Sequence, residues 1–311
     1  MDTVVVTTCS ANHLAQAKSL GDSLSQFNPS WKFIIGLADK MPAGITKDSF
    51  LPYSIIEVQE LNIPQFNEMY ERYNTFELNC ALKSFFLADA MKRYQPGHLL
   101  FMDSDMLTFS SMNPIKDMLN NHSILLTPHI FSAFPMDACK PQERDILKAG
   151  VFNAGFMGLK NDETGKAFLK WWTSRMVDQC YEKPKLGWVV DQNWLNLVPV
   201  YFKNVEVIEH RGCNVAYWNL HERRLEKKGN EYFVNETEPL LFFHFSGYNI
   251  AMTDNISRHQ NRYNMNEFPV VKELFDHYHQ RLIKNGHAEM LKLPCYYRKK
   301  KSVMQKLGLK K

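Results

Sequence analysis

Leu99-Leu100-Phe101-Met102-Asp103-Ser104-Asp105 is the stretch on which the fold of this chain turns. Four apolar residues in a row predict a strand buried on both faces, as in parallel sheets covered by helices. The strand stops on two carboxylates with one residue between them. In open α/β sheets, ligands bind beyond the carboxyl ends of the strands. Asp103 and Asp105 are therefore expected to face a cavity, where unpaired carboxylates are costly or shift their pKa. A divalent cation that takes oxygen ligands, Mg²⁺ or Mn²⁺, removes that cost. If it keeps open positions, it can hold a substrate's phosphates. A solvated turn is the competing reading of an isolated Asp-x-Asp, and the rest of the chain decides between them.

Outward from this strand, βα units recur. Thr3-Val4-Val5-Val6-Thr7-Thr8 predicts a first strand, followed by the small polar Cys9-Ser10-Ala11-Asn12. Leu14, Ala17, Leu20 and Leu24 then recur at helical spacing. Strands are expected over Trp31–Leu37 and Tyr53–Val58, and a strong helix over Phe76–Leu87, whose Lys83 sits one turn from Asn79. Beyond the acid pair come a helix over Ile115–Leu119 and a strand over Ser123–His129. Residues 130–149 form a long Pro-containing loop with a short helix, expected to cover the acceptor side. Strands alternating with helices imply a largely parallel sheet. The chain contains neither GxGxxG nor GxxxxGK[ST], so a nucleotide would be held by other means.

Four further landmarks follow. Gly150–Leu159 is an apolar strand with small residues at Ala154, Gly155 and Gly158, a mark of close approach by backbone or ligand. Val189-Val190-Asp191-Gln192-Asn193-Trp194 opens a helix for which Asp191 could serve as N-cap. Pro239–Gly247 is an apolar run ending in a polar cluster. There His244 could complete a mixed oxygen and nitrogen metal site. Residues 269–285 form the last clear helix, with His277 and His279 on its surface.

The 311 residues carry a net charge of +4. It is concentrated in residues 298–311, which hold Arg298, Lys299, Lys300, Lys301, Lys306, Lys310 and Lys311 and no acid. The body is therefore slightly acidic, which argues against a nucleic-acid partner. Basic residues interleaved with Val303, Met304, Leu307 and Leu309 suit an anionic membrane surface. Six scattered cysteines without CxxC spacing argue against zinc and a disulfide framework and for reduced thiols. No signal peptide or membrane span is expected. The chain is expected in the cytoplasm, peripheral on the cytoplasmic face of the inner membrane.

The order of these motifs resembles the nucleotide-sugar glycosyltransferases of GT-A fold, most closely glycosyltransferase family 8. It covers residues 3–250 and rests on Thr7–Asn12, Lys83, Asp103-Ser104-Asp105, Phe152-Asn153-Ala154-Gly155, Asp191-Gln192 and His244-Phe245-Ser246-Gly247. The resemblance implies a GT-A, Rossmann-like, mostly parallel sheet flanked by helices, expected over residues 1–290; the basic amphipathic tail read from the sequence itself then covers 291–311. It implies Mn²⁺ (or Mg²⁺) on Asp103, Asp105 and His244, gripping the diphosphate of a UDP-sugar donor. Thr8, Ala11 and Asn12 would line the uridine pocket, while Lys83, Ser104 and Gly247 complete the donor site. Asn153, Asp191 and Gln192 would surround the donor sugar, with Gln192 near the anomeric carbon. The implied reaction moves a hexose, with retention, to a glycan or lipid-linked glycan acceptor. The chain departs from the family where Lys-Pro-Trp often follows the His-x-x-Gly: here Gly247 precedes Tyr248-Asn249-Ile250. Arg258, Arg211 and Arg223 are candidates for the missing cation. The alternatives are a glycoside hydrolase acting through Asp103 or Asp105, and a non-catalytic nucleotide-sugar or glycan-binding module.

Overall fold

The computed structural model describes residues 2–252 and 254–298. In chain order the elements are β1 (Thr3–Cys9), α1 (Leu14–Phe27), β2 (Lys32–Leu37), β3 (Ser54–Glu57), α2 (Phe66–Arg72), α3 (Thr75–Tyr94) and β4 (His98–Met102). Next come β5 (Met106–Thr108), α4 (Asn113–Asn121), β6 (Ile124–Pro128), α5 (Glu143–Ala149), β7 (Phe152–Lys160) and α6 (Glu163–Met176). The remainder is β8 (Glu182–Lys183), β9 (Trp188–Val189), α7 (Val198–Tyr201), β10 (Val205–Val207), β11 (Leu225–Lys228), β12 (Glu231–Val234), β13 (Glu238–Pro239), β14 (Phe242–His244), α8 (Pro269–Lys284) and α9 (His287–Met290).

Seven strands form the central sheet, in the order β10-β6-β7-β4-β1-β2-β3. β7 alone runs against its neighbours; β4 and β6 both pair with it antiparallel, and the remaining pairings are parallel. This is the mixed α/β, largely parallel sheet flanked by helices that the sequence implied.

Alternation along each strand explains the layers, since successive side chains point to opposite faces. Val4, Val6, Leu99 and Phe101 face a core shared with α3 and α6. Val5, Leu100 and Met102 face another shared with α1 and α4. α3 begins on a capping box in which Asn74 and Glu77 bond each other's backbone N–H groups. A third core gathers Phe243, Phe245, Phe275 and Tyr278, packing α8 behind β14.

One expectation is corrected in detail. The segment after Asp191 is a 3₁₀ turn over Gln192–Leu197 running into α7, not a regular helix, and the Asp191 side chain makes no capping bond. The apolar run ending at His244 forms β14, which pairs antiparallel with β5 in a two-stranded sheet beside the central one. Residues 291–298 of the basic tail are seen packed on the body, and Lys299 to Lys311 lie outside the described residues.

Candidate metal and donor site

Backbone pairing sets the geometry of the acid pair. Asp103 leaves β4 with its N–H donating to Gly155 O on β7 at 2.8 Å. Asp105 precedes β5, whose Met106 is in register with His244 on β14. The Phe245 N–H donates to Asp105 O at 2.8 Å. A short two-stranded pairing thus delivers an imidazole from far along the chain to the acid pair. His244 Nε2 lies 3.1 Å from Asp105 Oδ1 and 4.0 Å from Asp103 Oδ2. One ligand atom from each of the three residues falls within 4.8 Å of the others.

The hydrogen bonds behind this cluster fix how it is aimed. Asn153 Oδ1 accepts from Gly155 N and from Asn214 Nδ2, both at 3.1 Å. That orients the Asn214 amide so that its Oδ1 accepts from His244 Nδ1–H at 3.2 Å. His244 Nε2 is thereby turned toward the carboxylates, the orientation a metal-ligating histidine needs. Asn214 is fully buried and sits in the left-handed region at φ 53°. On its other side, Asn153 Nδ2 donates to His129 Nε2 at 3.2 Å and to Gln192 Oε1 at 3.1 Å. His129 in turn donates from Nδ1 to Val151 O at 3.1 Å. Burial pushes the His129 imidazole down to about 4, so it stays neutral and able to accept.

Gly155 is a position where close approach matters. A Cβ there would lie 2.7 Å from Asn153 Oδ1, 2.7 Å from His244 Cε1 and 2.8 Å from Asp103 Oδ2. The missing side chain is what leaves the three groups room to converge.

Lys83 joins the acid pair to the second acidic position. Its ammonium is 3.1 Å from Asp103 Oδ1, 3.2 Å from Asp191 Oδ2 and 3.4 Å from Ala154 O. Burial alone would lower the Lys83 pKa, but the two carboxylates outweigh it and hold it well above the ordinary value. Burial raises the Asp191 carboxyl despite Lys83. For Asp105, burial acts upward, yet the neighbouring imidazole wins and the carboxyl is held below its usual range. Gln192 is held on both ends of its amide: Oε1 also accepts from Ala154 N at 3.1 Å, and Nε2 donates to Ala149 O at 2.9 Å. Asn153, Asp191 and Gln192 are therefore all packed against the inner side of the cluster.

Thr8, next to last in β1, has a buried hydroxyl with no hydrogen-bond partner among the described residues. Ala11 is buried, and its N–H points at Asp39 Oδ2, 3.4 Å away, while Asn12 Oδ1 accepts from Ser10 Oγ at 2.7 Å. Ser104 is the half-buried residue between the two acids. Gly247 has φ 73° and lies against Ser257 and His259. Among the three arginines, Arg258 is the one at this turn, its N–H donating to Gly247 O at 3.2 Å. Arg223 is buried and committed to backbone carbonyls, and Arg211 packs its guanidinium 3.9 Å from the Phe131 ring. The 130–149 segment is pinned rather than free. Arg262 forks onto Asp137, and Glu222 accepts from Phe131 N and Ser132 Oγ.

Sequence reasoning missed His129, Asn214 and Asp39. Asn214 follows a Gly-Cys pair and His129 closes a predicted strand, but neither carries a spacing signal. Their importance comes from bonds that only the fold brings together.

No family model matches the sequence. Protein YfnF of Bacillus subtilis (strain 168), itself uncharacterised, is 26% identical over 281 residues, spanning 88% of this chain and 91% of that protein. YfnD of the same strain, also uncharacterised, is 26% identical over 204 residues, covering 64% of this chain and 62% of that protein. Among solved structures, the bifunctional glycosyltransferase WbbM in its apo form superposes with a TM-score of 0.53 at 14% identity. The likeness covers 94% of this chain but 51% of WbbM, so this chain corresponds to about half of that protein. The architecture expected from the motifs, a GT-A fold, is the one this chain adopts.

Proposed function

We propose that this protein is a metal-dependent glycosyltransferase that moves a hexose from a UDP-sugar to a hydroxyl of a glycan or glycolipid acceptor, with retention of configuration, as in family 8. The observation that carries the reading is the convergence of Asp103, Asp105 and His244, with Nε2 of the imidazole turned toward the acids. Two carboxylates and one imidazole make a donor set that suits Mn²⁺, with Mg²⁺ as the harder alternative. The absence of a side chain at Gly155 is what lets these ligands approach one another. When bound there, such a cation supplies positive charge to a leaving diphosphate.

The chain's own residues supply the rest. Asn214 and Asn153 hold His244 in one tautomer and one orientation. Lys83 compensates Asp191 and Asp103 at once, one ammonium set between two carboxylates. Asp191 and Gln192, at the inner edge, present a carboxylate and an amide where an electron-poor sugar carbon would lie. Thr8, with its unpartnered hydroxyl, and Ala11, Asn12 and Ser104 lie toward the nucleoside. Arg258, exposed and bonded through its backbone N–H to Gly247 O, is the cation we assign to the phosphates in place of the family's lysine.

The experiment is hydrolysis of a panel of UDP-sugars with and without Mn²⁺. Turnover is expected to need the metal and to fall at least about a hundredfold in Asp103→Ala, the scale of losing a principal electrostatic contact. Turnover unaffected by EDTA would overturn the reading.

A further inference from the structure

The carboxyl ends of β1 and β2 are not open. The chain beyond α9 returns across them and is tied down residue by residue. The Tyr296 N–H donates to Asp39 Oδ1 at 2.8 Å, and Cys295 Sγ contacts Asn12 Oδ1 at 3.3 Å. Tyr297 packs edge-on against Phe66 and Tyr70, with ring centroids 4.9 and 5.2 Å apart. Asp39 is the clamp: it is 1% exposed, and it also accepts from Lys40 N at 2.9 Å. Hydrogen bonds to a charged acceptor are among the stronger ones. The backbone of this strap is thus fixed, while the Tyr296 ring stays 60% exposed with the Lys40 ammonium 3.9 Å from its centre.

Position gives the strap its role. β1 lies between β4 and β2 in the sheet. With strands about 4.8 Å apart, the end of β2 lies about 10 Å from the acids that follow β4. That is the reach of a nucleoside whose diphosphate is held at Asp103 and Asp105. Resting on the UDP-sugar reading above, we propose that Cys295–Tyr297 forms the outer wall of the nucleotide pocket, with Tyr296 and Cys295 touching the pyrimidine base. The C-terminal segment is then part of the donor site itself, placed by Asp39.

Cys295 is its own reporter. It is half-buried, as is Cys139, whereas Cys9, Cys80, Cys180 and Cys213 are buried. The full chain is alkylated with N-ethylmaleimide in Mg²⁺, and peptides are quantified by mass spectrometry. With UDP at about ten times its Kd, Cys295 should react about tenfold more slowly, by simple occupancy. Cys139 should be unchanged, and pyrophosphate, which lacks the base, should not protect. Tyr296→Ala should weaken UDP binding in calorimetry while leaving the affinity for Mn²⁺ alone unchanged. Unchanged or faster alkylation of Cys295 with UDP bound overturns the wall and leaves the transferase reading standing. So does protection by pyrophosphate. Absence of UDP binding in the calorimeter overturns both.

Discussion

A missing methyl group at residue 155 decides whether three ligands can meet. Phe156 beside it lies in the core and Asn153 two residues before it in the amide network, yet at Gly155 any Cβ would meet two of the candidate ligands, His244 and Asp103, and the Asn153 amide that orients His244 through Asn214. The backbone there carries no left-handed strain, and β7 remains paired on both sides. Gly155→Ala is therefore expected to keep the fold, at a cost of about 1–3 kcal/mol from overpacking. Metal affinity should drop far more than stability does. Calorimetric titration with Mn²⁺, beside a thermal melt, separates the two effects. Retained affinity would show that Asp103 and His244 are not co-ligands. Lys83 teaches a related lesson at the same scale: a buried ammonium is tolerated because two carboxylates meet it within 3.2 Å.

Elements carry the next level of the argument. The parallel strands β1, β2, β4 and β6 were legible because each is a short, uninterrupted apolar run, and α3 because its cap and its apolar face agree. β7 was legible as a strand but not in direction, since pairing sense depends on where the chain goes between strands. The acid pair was legible by its place at a strand end; His244 was legible only as a possibility, because its approach depends on the β5–β14 pairing. The amide relay was not legible at all. Asn153, Asn214 and His129 come from three segments, and hydrogen-bond partnership leaves no periodicity in a sequence. That relay has a pH signature. His129, at the end of β6, faces Asn153, Val151, Trp218 and the more distant His244, and burial holds its pKa at about 4. Unfolded, it titrates near about 6.5. Above that pH neither state is protonated there; as pH falls toward 4 the unfolded chain takes up a proton that the folded one refuses, so stability is lost. The melting temperature is expected to decline between pH 6.5 and 4. His13, His98, His210 and His287 are also held low by burial and share in that slope. His129→Gln removes one contribution, so its decline over the window should be shallower than that of the parent chain; parallel curves would refute the neutral, accepting imidazole.

At the scale of the whole molecule, charge is divided between a slightly acidic body and a basic end. No described helix is long and apolar enough to cross a membrane. The place to cut follows from packing. Tyr296 and Tyr297 belong to the body, held by Asp39, Phe66 and Tyr70, so a truncation starting at 296 would damage the site as well as the tail. Removing residues 299–311 takes away Lys299, Lys300, Lys301, Lys306, Lys310 and Lys311 and leaves those contacts intact. Each lysine near an anionic surface is worth about 1 kcal/mol, so their sum is enough to decide between bound and free. The full chain should pellet with vesicles containing phosphatidylserine or phosphatidylglycerol, and raised salt should release it, since screening shortens the reach of each charge. The chain ending at residue 298 should stay in the supernatant while hydrolysing UDP-sugar at the parent rate. Equal pelleting of the two chains would remove the tail from the account of membrane contact. A loss of hydrolysis in the shorter chain would instead tie residues beyond 298 to the donor site.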